Sequence, residues 1–163
     1  MPNYTAEEQR NIDQVNRMFR SGEQRKEPFD VSSLFADDAV WWNGLPLIPG
    51  NVGETEHKGI DAIRNILKGS GSPHPGTGID SYNTATNRYS DVLILADGDY
   101  VIRQHTMRST TLGGKDYCNV YCFVFRFNDE GKIAYLTEHW NTWNAFRILF
   151  NNFNVEPAHP TGE

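Results

Sequence analysis

One stretch of the sequence places a carboxylate and an imidazole among aromatic rings. Residues 135–146 read YLTEHWNTWNAF, in which Glu138 and His139 stand beside Trp140. A carboxylate that aromatic rings shield from water holds its proton more tightly, so its pKa rises toward neutrality. Such a group can donate or remove a proton near neutral pH, which is general acid–base catalysis. The stretch therefore predicts a pocket that contains a proton-transferring carboxylate.

Strand alternation separates the polar groups of this stretch. A period of two puts Glu138 and Trp140 on one face of a strand and His139 on the other. We therefore expect Glu138 to be catalytic and Trp140 to contact the substrate, and we exclude His139. A structural alternative stays open, because buried carboxylates are usually paired. Glu138 would then form an ion pair with Arg103 or Arg108 on a neighbouring strand.

Two further strands carry polar candidates. In VIRQHTMRS, His105 shares a face with Arg103, and a guanidinium beside an imidazole can bind a carboxylate or phenolate. We predict a catalytic role for His105 and substrate binding for Arg103, while a structural role is the alternative for a lone strand histidine. In DYCNVYCFVFRF, Tyr121 shares a face with Asn119. The Tyr121 hydroxyl could polarise a carbonyl or phenol oxygen, with Asn119 binding the substrate.

The segment WWNG adds aromatic walls. Trp41 and Trp42 cannot both face inward on a strand, so we expect one to line the pocket and the other to pack elsewhere. Aromatic walls suit a flat aromatic or phenolic ligand. The alternative is that tryptophans fill the core. Asn43 follows as a candidate for substrate binding.

Composition limits the classes of partner. The chain of 163 residues has a net charge of −6 and no basic stripe, which argues against nucleic acid as a partner. It contains no run of about 18 apolar residues, so we expect no membrane span. The polar, acidic residues 1–14 do not resemble a secretory signal, so we expect a cytoplasmic protein.

The sequence predicts neither a disulfide nor a cofactor. Cys118 and Cys122 lie four apart in one strand, about 13 Å by strand rise, which is too far for a disulfide. We expect both to be buried small side chains in a reducing compartment. The histidines and Glu138 lack metal-ligand spacing, so we predict no metal, and no glycine-rich phosphate loop is present.

The elements that must position these residues change type near Asp80. Helical spacing marks residues 5–22, with Thr5 and Glu8 as a capping box, and residues 57–70. Residues 30–38 predict a short helix and 39–42 a brief strand. From 80 onward the period is two, with a hairpin signal at Asp97-Gly98 and a turn at Gly113-Gly114. Helices followed by an antiparallel meander define an α+β fold.

One segment of the sequence is rich in turn-forming residues. Residues 43–56 hold two prolines and three glycines, which predicts a loop of the kind that forms lids or binding sites.

The strand 116–127 is apolar on both faces, whereas a sheet buried on one side alternates with polar residues. We therefore predict a homodimer that covers the second face. Coverage by the tail, residues 151–163, is the alternative.

The segments LFADDAVWWNG, HKGIDAIRNIL and YCFVFRFNDEGKIAYLTEHWNTWN, in this order and spacing, resemble the nuclear transport factor 2-like superfamily in its SnoaL-like and ketosteroid-isomerase-like branch. The resemblance covers about residues 8–150 of a single domain, 1–163. It implies a cone-shaped barrel: a curved, mainly antiparallel sheet wrapped around N-terminal helices, with a central pocket. It also implies that Glu138 falls where phenazine-pathway members carry a catalytic carboxylate, and that Tyr121 faces the cavity.

Departures from the family pattern narrow the chemistry. Asn43 and Phe123 fall where ketosteroid isomerases carry an aspartate base and an oxyanion-binding acid, which argues against steroid isomerisation. Phe123 then remains as a wall that contacts the substrate. Asn141 replaces an aspartate of SnoaL-type cyclases, and it either binds the substrate or caps the helix that follows. The helix histidine of the phenazine-type members has no counterpart in this chain, because Ile66 stands near its position.

These observations predict a lyase or isomerase that needs no cofactor and acts on a small aromatic or phenolic molecule. The reaction would be elimination of water or of a small carbonyl fragment, or a double-bond shift, with Glu138 moving the proton. Two alternatives stay open. One is a biosynthetic cyclase of the polyketide or phenazine type. The other is a small-ligand-binding protein without catalysis, which the asparagines at 43 and 141 favour.

Overall fold

A single six-stranded sheet positions the candidate residues. The computed structural model describes residues 3–20, 24, 29–43, 56–69 and 80–149. The helices are α1 (Ala6–Met18), α2 (Ile60–Gly69) and α3 (Thr142–Ile148), with 3-10 helices at Val31–Leu34 and Thr84–Thr86. The strands are β1 (Phe35–Trp42), β2 (Glu56–Lys58), β3 (Arg88–Asp97), β4 (Tyr100–Thr110), β5 (Asp116–Phe127) and β6 (Ile133–Trp140).

The sheet has the order β2-β1-β6-β5-β4-β3. All neighbouring strands are antiparallel except β1 and β6, which are parallel. Helix α1 packs on β3 and β4, and α2 packs on β1. The sheet is curved and stays open between its edge strands, β2 and β3. The predicted α+β fold with a mainly antiparallel, cone-like sheet is therefore confirmed.

The predicted start of α1 is confirmed in detail. The Thr5 hydroxyl accepts a hydrogen bond from the Glu8 backbone N–H, and the Glu8 carboxylate accepts one from the Thr5 backbone N–H at 2.7 Å. The helix then buries Ile12, Val15 and Met18 against the sheet. Their spacing of three residues forms the apolar stripe that holds the helix in place.

Two predicted boundaries are wrong. The helical segment predicted over 30–38 ends at Leu34, because Phe35 already pairs with Ile133 and starts β1. Residues 81–89 were expected to be strand, but Tyr82 forms only an isolated bridge with Thr111 and a 3-10 turn follows it. In both segments pairing within the sheet, rather than local propensity, determines the boundary.

The outer face of the sheet carries exposed apolar side chains. Leu95, Ile102 and Val120 lie on it, and Val120 is 50% exposed. Cys118 is exposed as well, so the expectation that both cysteines are buried is wrong, although both are free thiols. The inner face of β5, in contrast, is buried along its length. Within the described residues, the inner face of β5 is therefore covered, whereas its outer face carries exposed side chains.

Several predicted segments lie outside the described residues. They include most of the loop 43–56 and the tail 151–163. Within the described ranges, every helix is too short or too polar to cross a bilayer.

Candidate functional site

A cavity of about 400 Å³ lies between the helices and the inner face of the sheet. Its apolar wall consists of Met18, Phe19, Phe29, Val31, Ile66, Leu67, Met107 and Phe123. Five of the predicted site residues line it: Trp41, His105, Tyr121, Phe123 and Glu138. Arg64 and Lys68 of α2 also line it, and both are exposed.

Strand register brings the polar groups together. Phe123 of β5 lies opposite Glu138 of β6 and opposite Arg103 of β4. One step further along the same face, Tyr121 lies opposite His105. Glu138 and His105 are thus two strands and two residues apart, roughly 12 Å between backbone positions at ordinary strand spacing and rise. That interval leaves room for a small ligand between them.

Glu138 is a cavity carboxylate with a single described hydrogen-bond donor. The Trp41 indole Nε1–H donates to Glu138 Oε2 at 3.0 Å. Burial raises the pKa of Glu138 to about 7, while the indole hydrogen bond opposes the rise. Both protonation states are consequently populated at neutral pH, as a general acid or base requires.

The ion-pair alternative for Glu138 is wrong. Arg103 instead donates to Asn16 Oδ1 at 2.7 Å and to the ring of His105. Arg108 donates to Ser90 Oγ at 2.8 Å on the outer face of the sheet. No ion pair of Glu138 occurs among the described residues. The apolar surroundings therefore raise the pKa of the carboxylate, which has no charged partner among the described residues.

Hydrogen bonding fixes the tautomer of His105, a buried residue that lines the cavity. The side chain is 1% exposed, and its Nδ1 accepts a hydrogen bond from Arg103 Nε at 3.2 Å. Because arginine has only donors, this bond places the proton of the neutral ring on Nε2. Burial and the charge of Arg103 lower the pKa of His105 to about 3. His105 is therefore a neutral donor at physiological pH.

Aromatic rings hold the His105 imidazole in place. The rings of Phe19, Tyr89 and Phe123 lie 4.9, 5.0 and 5.6 Å from it. Its Nε2 is buried and has no hydrogen-bond partner among the described residues. A buried donor without a partner is costly, so a ligand acceptor at this atom would be favourable.

Three tyrosine hydroxyls form a chain beside this donor. Asn119 Nδ2 donates to Tyr117 at 2.7 Å, Tyr117 contacts Tyr121 at 2.9 Å, and Tyr121 contacts Tyr82 at 2.8 Å. Burial raises the pKa of Tyr82 and Tyr121 well above the usual value. The chain therefore stays protonated. Tyr82, which also lines the cavity, was missed because its segment resembled an ordinary strand.

Only one of the tryptophans in WWNG faces the cavity. Trp41 is 5% exposed and lines it. Trp42 lies on the other face, with its ring 5.2 Å from His139, so the predicted substrate contact of Trp42 has no support in the geometry. Trp143 is 67% exposed and is not part of the described lining. Alternation along β1 explains the split between Trp41 and Trp42.

Trp140 and Asn43 lie behind the cavity wall. The Trp140 indole donates to the Asn43 backbone oxygen at 2.8 Å, and its ring is stacked 6.1 Å from Tyr121. The Asn43 side chain is buried, with its Nδ2 3.1 Å from His57 Nε2. These contacts join the ends of β1 and β6. Neither side chain is part of the described lining.

The remaining predicted binding residues position other groups. Arg103 orients His105, as described above. Asn119 donates to the Asn141 backbone oxygen at 3.1 Å as well as to Tyr117. Asn141 caps α3, since its Oδ1 accepts a hydrogen bond from the Asn144 backbone N–H at 3.2 Å. The capping alternative for Asn141 is therefore what the geometry shows.

One buried lining residue carried no signal in the sequence. Asn87, between the second 3-10 helix and β3, lines the cavity and has no partner for its Oδ1 among the described residues. No group of three or more potential metal ligands occurs within the described ranges.

Family comparison agrees with this architecture. Residues 15–136 match the model of the SnoaL-like domain. The chain belongs to the SnoaL-like family, and its predicted membership of the nuclear transport factor 2-like superfamily is confirmed. No curated protein matches the sequence.

Solved structures share the fold. An NTF2-like protein of unknown function from Burkholderia pseudomallei is 21% identical, with a TM-score of 0.64 over 86% of this chain and 97% of that one. A phenazine biosynthesis-related protein from Pseudomonas aeruginosa is 16% identical, with a TM-score of 0.64 over 100% and 95%. TerC, co-crystallised with polyporic acid, is 19% identical, with a TM-score of 0.60 over 87% and 98%.

Proposed function

We propose that the protein is a lyase or isomerase that needs no cofactor and transfers a proton on a small aromatic carbonyl compound. One observation carries the proposal: a cavity carboxylate with a pKa of about 7 shares an apolar cavity with a buried N–H donor that has no described partner. A base and an oxygen-binding donor are what enolate chemistry requires.

In the proposed reaction Glu138 removes a proton from the carbon next to the carbonyl. The C–H electron pair moves into a carbon–carbon double bond, and the carbonyl oxygen gains negative charge. His105 Nε2–H donates a hydrogen bond to that oxygen. Collapse of the enolate returns the proton from Glu138 to another carbon, which shifts a double bond, or expels a leaving group, which is elimination.

The cavity walls support an aromatic substrate. Phe19, Tyr89 and Phe123 enclose the His105 ring, and Trp41 borders Glu138. Rings of this kind favour a flat ligand by stacking. TerC, which shares the fold, was co-crystallised with polyporic acid. A cavity of about 400 Å³ matches a compound of one or two rings.

The test is carbon-bound proton exchange. The protein is incubated in D2O with a panel of aryl ketones, and loss of the α-proton NMR signal is followed. We expect exchange with the wild type and a loss of at least about 100-fold in Glu138→Gln, the usual size of a general-base contribution. Glu130→Gln, at an exposed turn residue, is the matched control. Equal exchange in Glu138→Gln and the wild type would exclude Glu138 as the base.

A biosynthetic cyclase is the second candidate, favoured by likeness to the phenazine biosynthesis-related protein. Ile66, which lines the cavity, would then contribute shape and no proton.

Ligand binding without catalysis is the third candidate function. Saturable binding of an aryl ketone with no exchange in any panel member would favour it.

We further propose that the protein is a homodimer that joins through the outer face of the sheet. Leu95, Ile102 and Val120 are exposed there on three adjacent strands. Leu95 and Ile102 are cross-strand partners, and Val120 is exposed on the same face opposite Thr106. Exposed apolar side chains grouped on one face mark interaction surfaces. A second copy of the chain would cover them.

A further inference from the structure

Two of the three described buried polar atoms without a partner belong to residues that line the cavity. The atoms are Asn11 Oδ1, Asn87 Oδ1 and His105 Nε2. Asn11 lies on α1 and is not part of the lining, whereas Asn87 and His105 both are. Since buried polar groups are nearly always satisfied, two such atoms in one cavity indicate a ligand that satisfies them.

Asn87 is poorly satisfied by the protein alone. The residue is 5% exposed, and its Nδ2 makes one long hydrogen bond of 3.4 Å to the Tyr89 hydroxyl. Asn119, equally buried, uses its Oδ1 and its Nδ2 in bonds of 2.7 to 3.1 Å. The contrast shows that this fold can satisfy a buried asparagine completely. It leaves the buried Asn87 oxygen without a partner among the described residues.

Strand register separates Asn87 from His105. Tyr89 pairs with Met107, so Asn87 stands two residues further along, level with Ser109 on β4. Ser109 is four residues from His105, about 13 Å at ordinary strand rise. The backbone positions of Asn87 and His105 therefore lie at different ends of this stretch of the cavity wall. A ligand that satisfies both therefore carries its acceptor and its donor at opposite ends.

We propose that Asn87 determines specificity: its side-chain oxygen accepts a hydrogen bond from a hydroxyl group at the end of the ligand remote from the carbonyl that His105 binds. The substrate class is then an aryl carbonyl compound with a hydroxyl group para to the carbonyl-bearing carbon. This assignment rests on the proposed function for the orientation of the carbonyl group.

Binding measurements without turnover test the assignment. Calorimetry compares 4-hydroxyacetophenone with 4-methoxyacetophenone, whose methoxy oxygen can only accept. We expect the wild type to prefer the hydroxyl compound about tenfold, the effect of one buried hydrogen bond. Asn87→Leu should abolish the preference, and Asn87→Asp, which keeps an acceptor, should retain it. Asn65→Leu, at an exposed position on α2, is the control and should behave as the wild type.

Each result supports or overturns the proposal. Equal affinity of the wild type for the two compounds overturns it, and so does a preference that persists in Asn87→Leu. Because Asn87→Leu could fail to fold, circular dichroism is recorded for each variant, and Asn87→Ser is a smaller replacement. A hydroxyl preference in a protein that exchanges no α-protons would overturn the proposed function alone. Exchange without the preference would overturn the role of Asn87 alone.

Discussion

The pKa values of two cavity residues are shifted in opposite directions from the values of the free side chains. Glu138 has a raised pKa and His105 a lowered one, to about 7 and about 3. Near pH 7 the first can change its charge and the second stays neutral. The proposed base and the proposed donor are thereby separated by environment rather than by residue type.

The rate of proton abstraction should depend on a single ionisation near pH 7. Glu138 removes a proton only as the carboxylate, so the exchange rate should fall as pH drops below about 7. Trp41→Phe removes the indole donor that lowers the pKa of Glu138. We therefore expect its pH–rate profile to move to higher pH. The profiles are measured by NMR between pH 5 and 9.

The control for this shift is Trp143→Phe, which changes an exposed tryptophan outside the described cavity lining. Its pH–rate profile should coincide with that of the wild type. A profile of Trp41→Phe that coincides with the wild type would show that the indole does not set the proton affinity.

The same carboxylate should make stability depend on pH. Its pKa is about 7 in the folded state and 4.5 in the reference state, so the folded protein binds more protons between these values. The stabilisation is present below about pH 4.5 and is lost as pH rises through 7. Glu138→Gln should therefore be more stable than the wild type at pH 8.5, by up to about 3 kcal/mol. Near pH 4.5 the two should differ little.

Urea unfolding at the two pH values measures this difference. His105, whose pKa is lowered on folding, contributes the opposite pH dependence in both proteins, so its effect cancels in the comparison. If the free energies of unfolding of the two proteins differ by the same amount at both pH values, the pKa of Glu138 is not raised.

At the scale of elements, helix α1 carries a capping box at its start and, further along, a residue that binds Arg103 beside the cavity. The helix begins with the Thr5–Glu8 box and carries Asn16, which accepts the hydrogen bond from Arg103. Thr5→Ala should lower the free energy of unfolding by about 1 kcal/mol, because the Glu8 backbone N–H loses its acceptor. A double-mutant cycle with Glu8→Ala should show coupling between the two positions. Additive losses would contradict the reciprocal cap.

Elements with a strong local pattern were predictable. The α1 cap, the long strands and the hairpin at Asp97-Gly98 follow from residue types and periodicity. The start of β1 at Phe35 was not, since pairing with Ile133 comes from a segment about a hundred residues away. Local propensity carries no information on such a contact.

The candidate site was predictable only in part. Alternation along β6 placed Glu138 and His139 on opposite faces, in agreement with the structure. It could not show whether Trp41 or Trp42 faces inward, because both orientations satisfy a period of two. Tyr82 and Asn87 lie in a segment whose period of two predicts a strand, whereas the structure has an isolated bridge and a 3-10 turn there. Only the tertiary structure brings them to the cavity.

At the scale of the whole molecule, the outer face predicts a dimer. Light scattering coupled to size exclusion should give the mass of two chains. Val120→Lys places a charge on the exposed outer face and should yield monomers, because burying an unpaired charge is costly. Leu112→Lys, in the turn between β4 and β5, is the control and should remain dimeric. A monomeric wild type would exclude the interface.

The hydrogen bond between Trp41 and Glu138 joins residues that are 97 positions apart. The parallel pairing of β1 with β6 has the same long separation, so closing it restricts a large part of the chain. During synthesis the indole leaves the ribosome well before its carboxylate partner exists. The hairpins β3–β4 and β4–β5 can form while β1 is paired with β2 but still lacks β6 as its second neighbour. The chemistry of the cavity is therefore among the last properties that the nascent chain acquires.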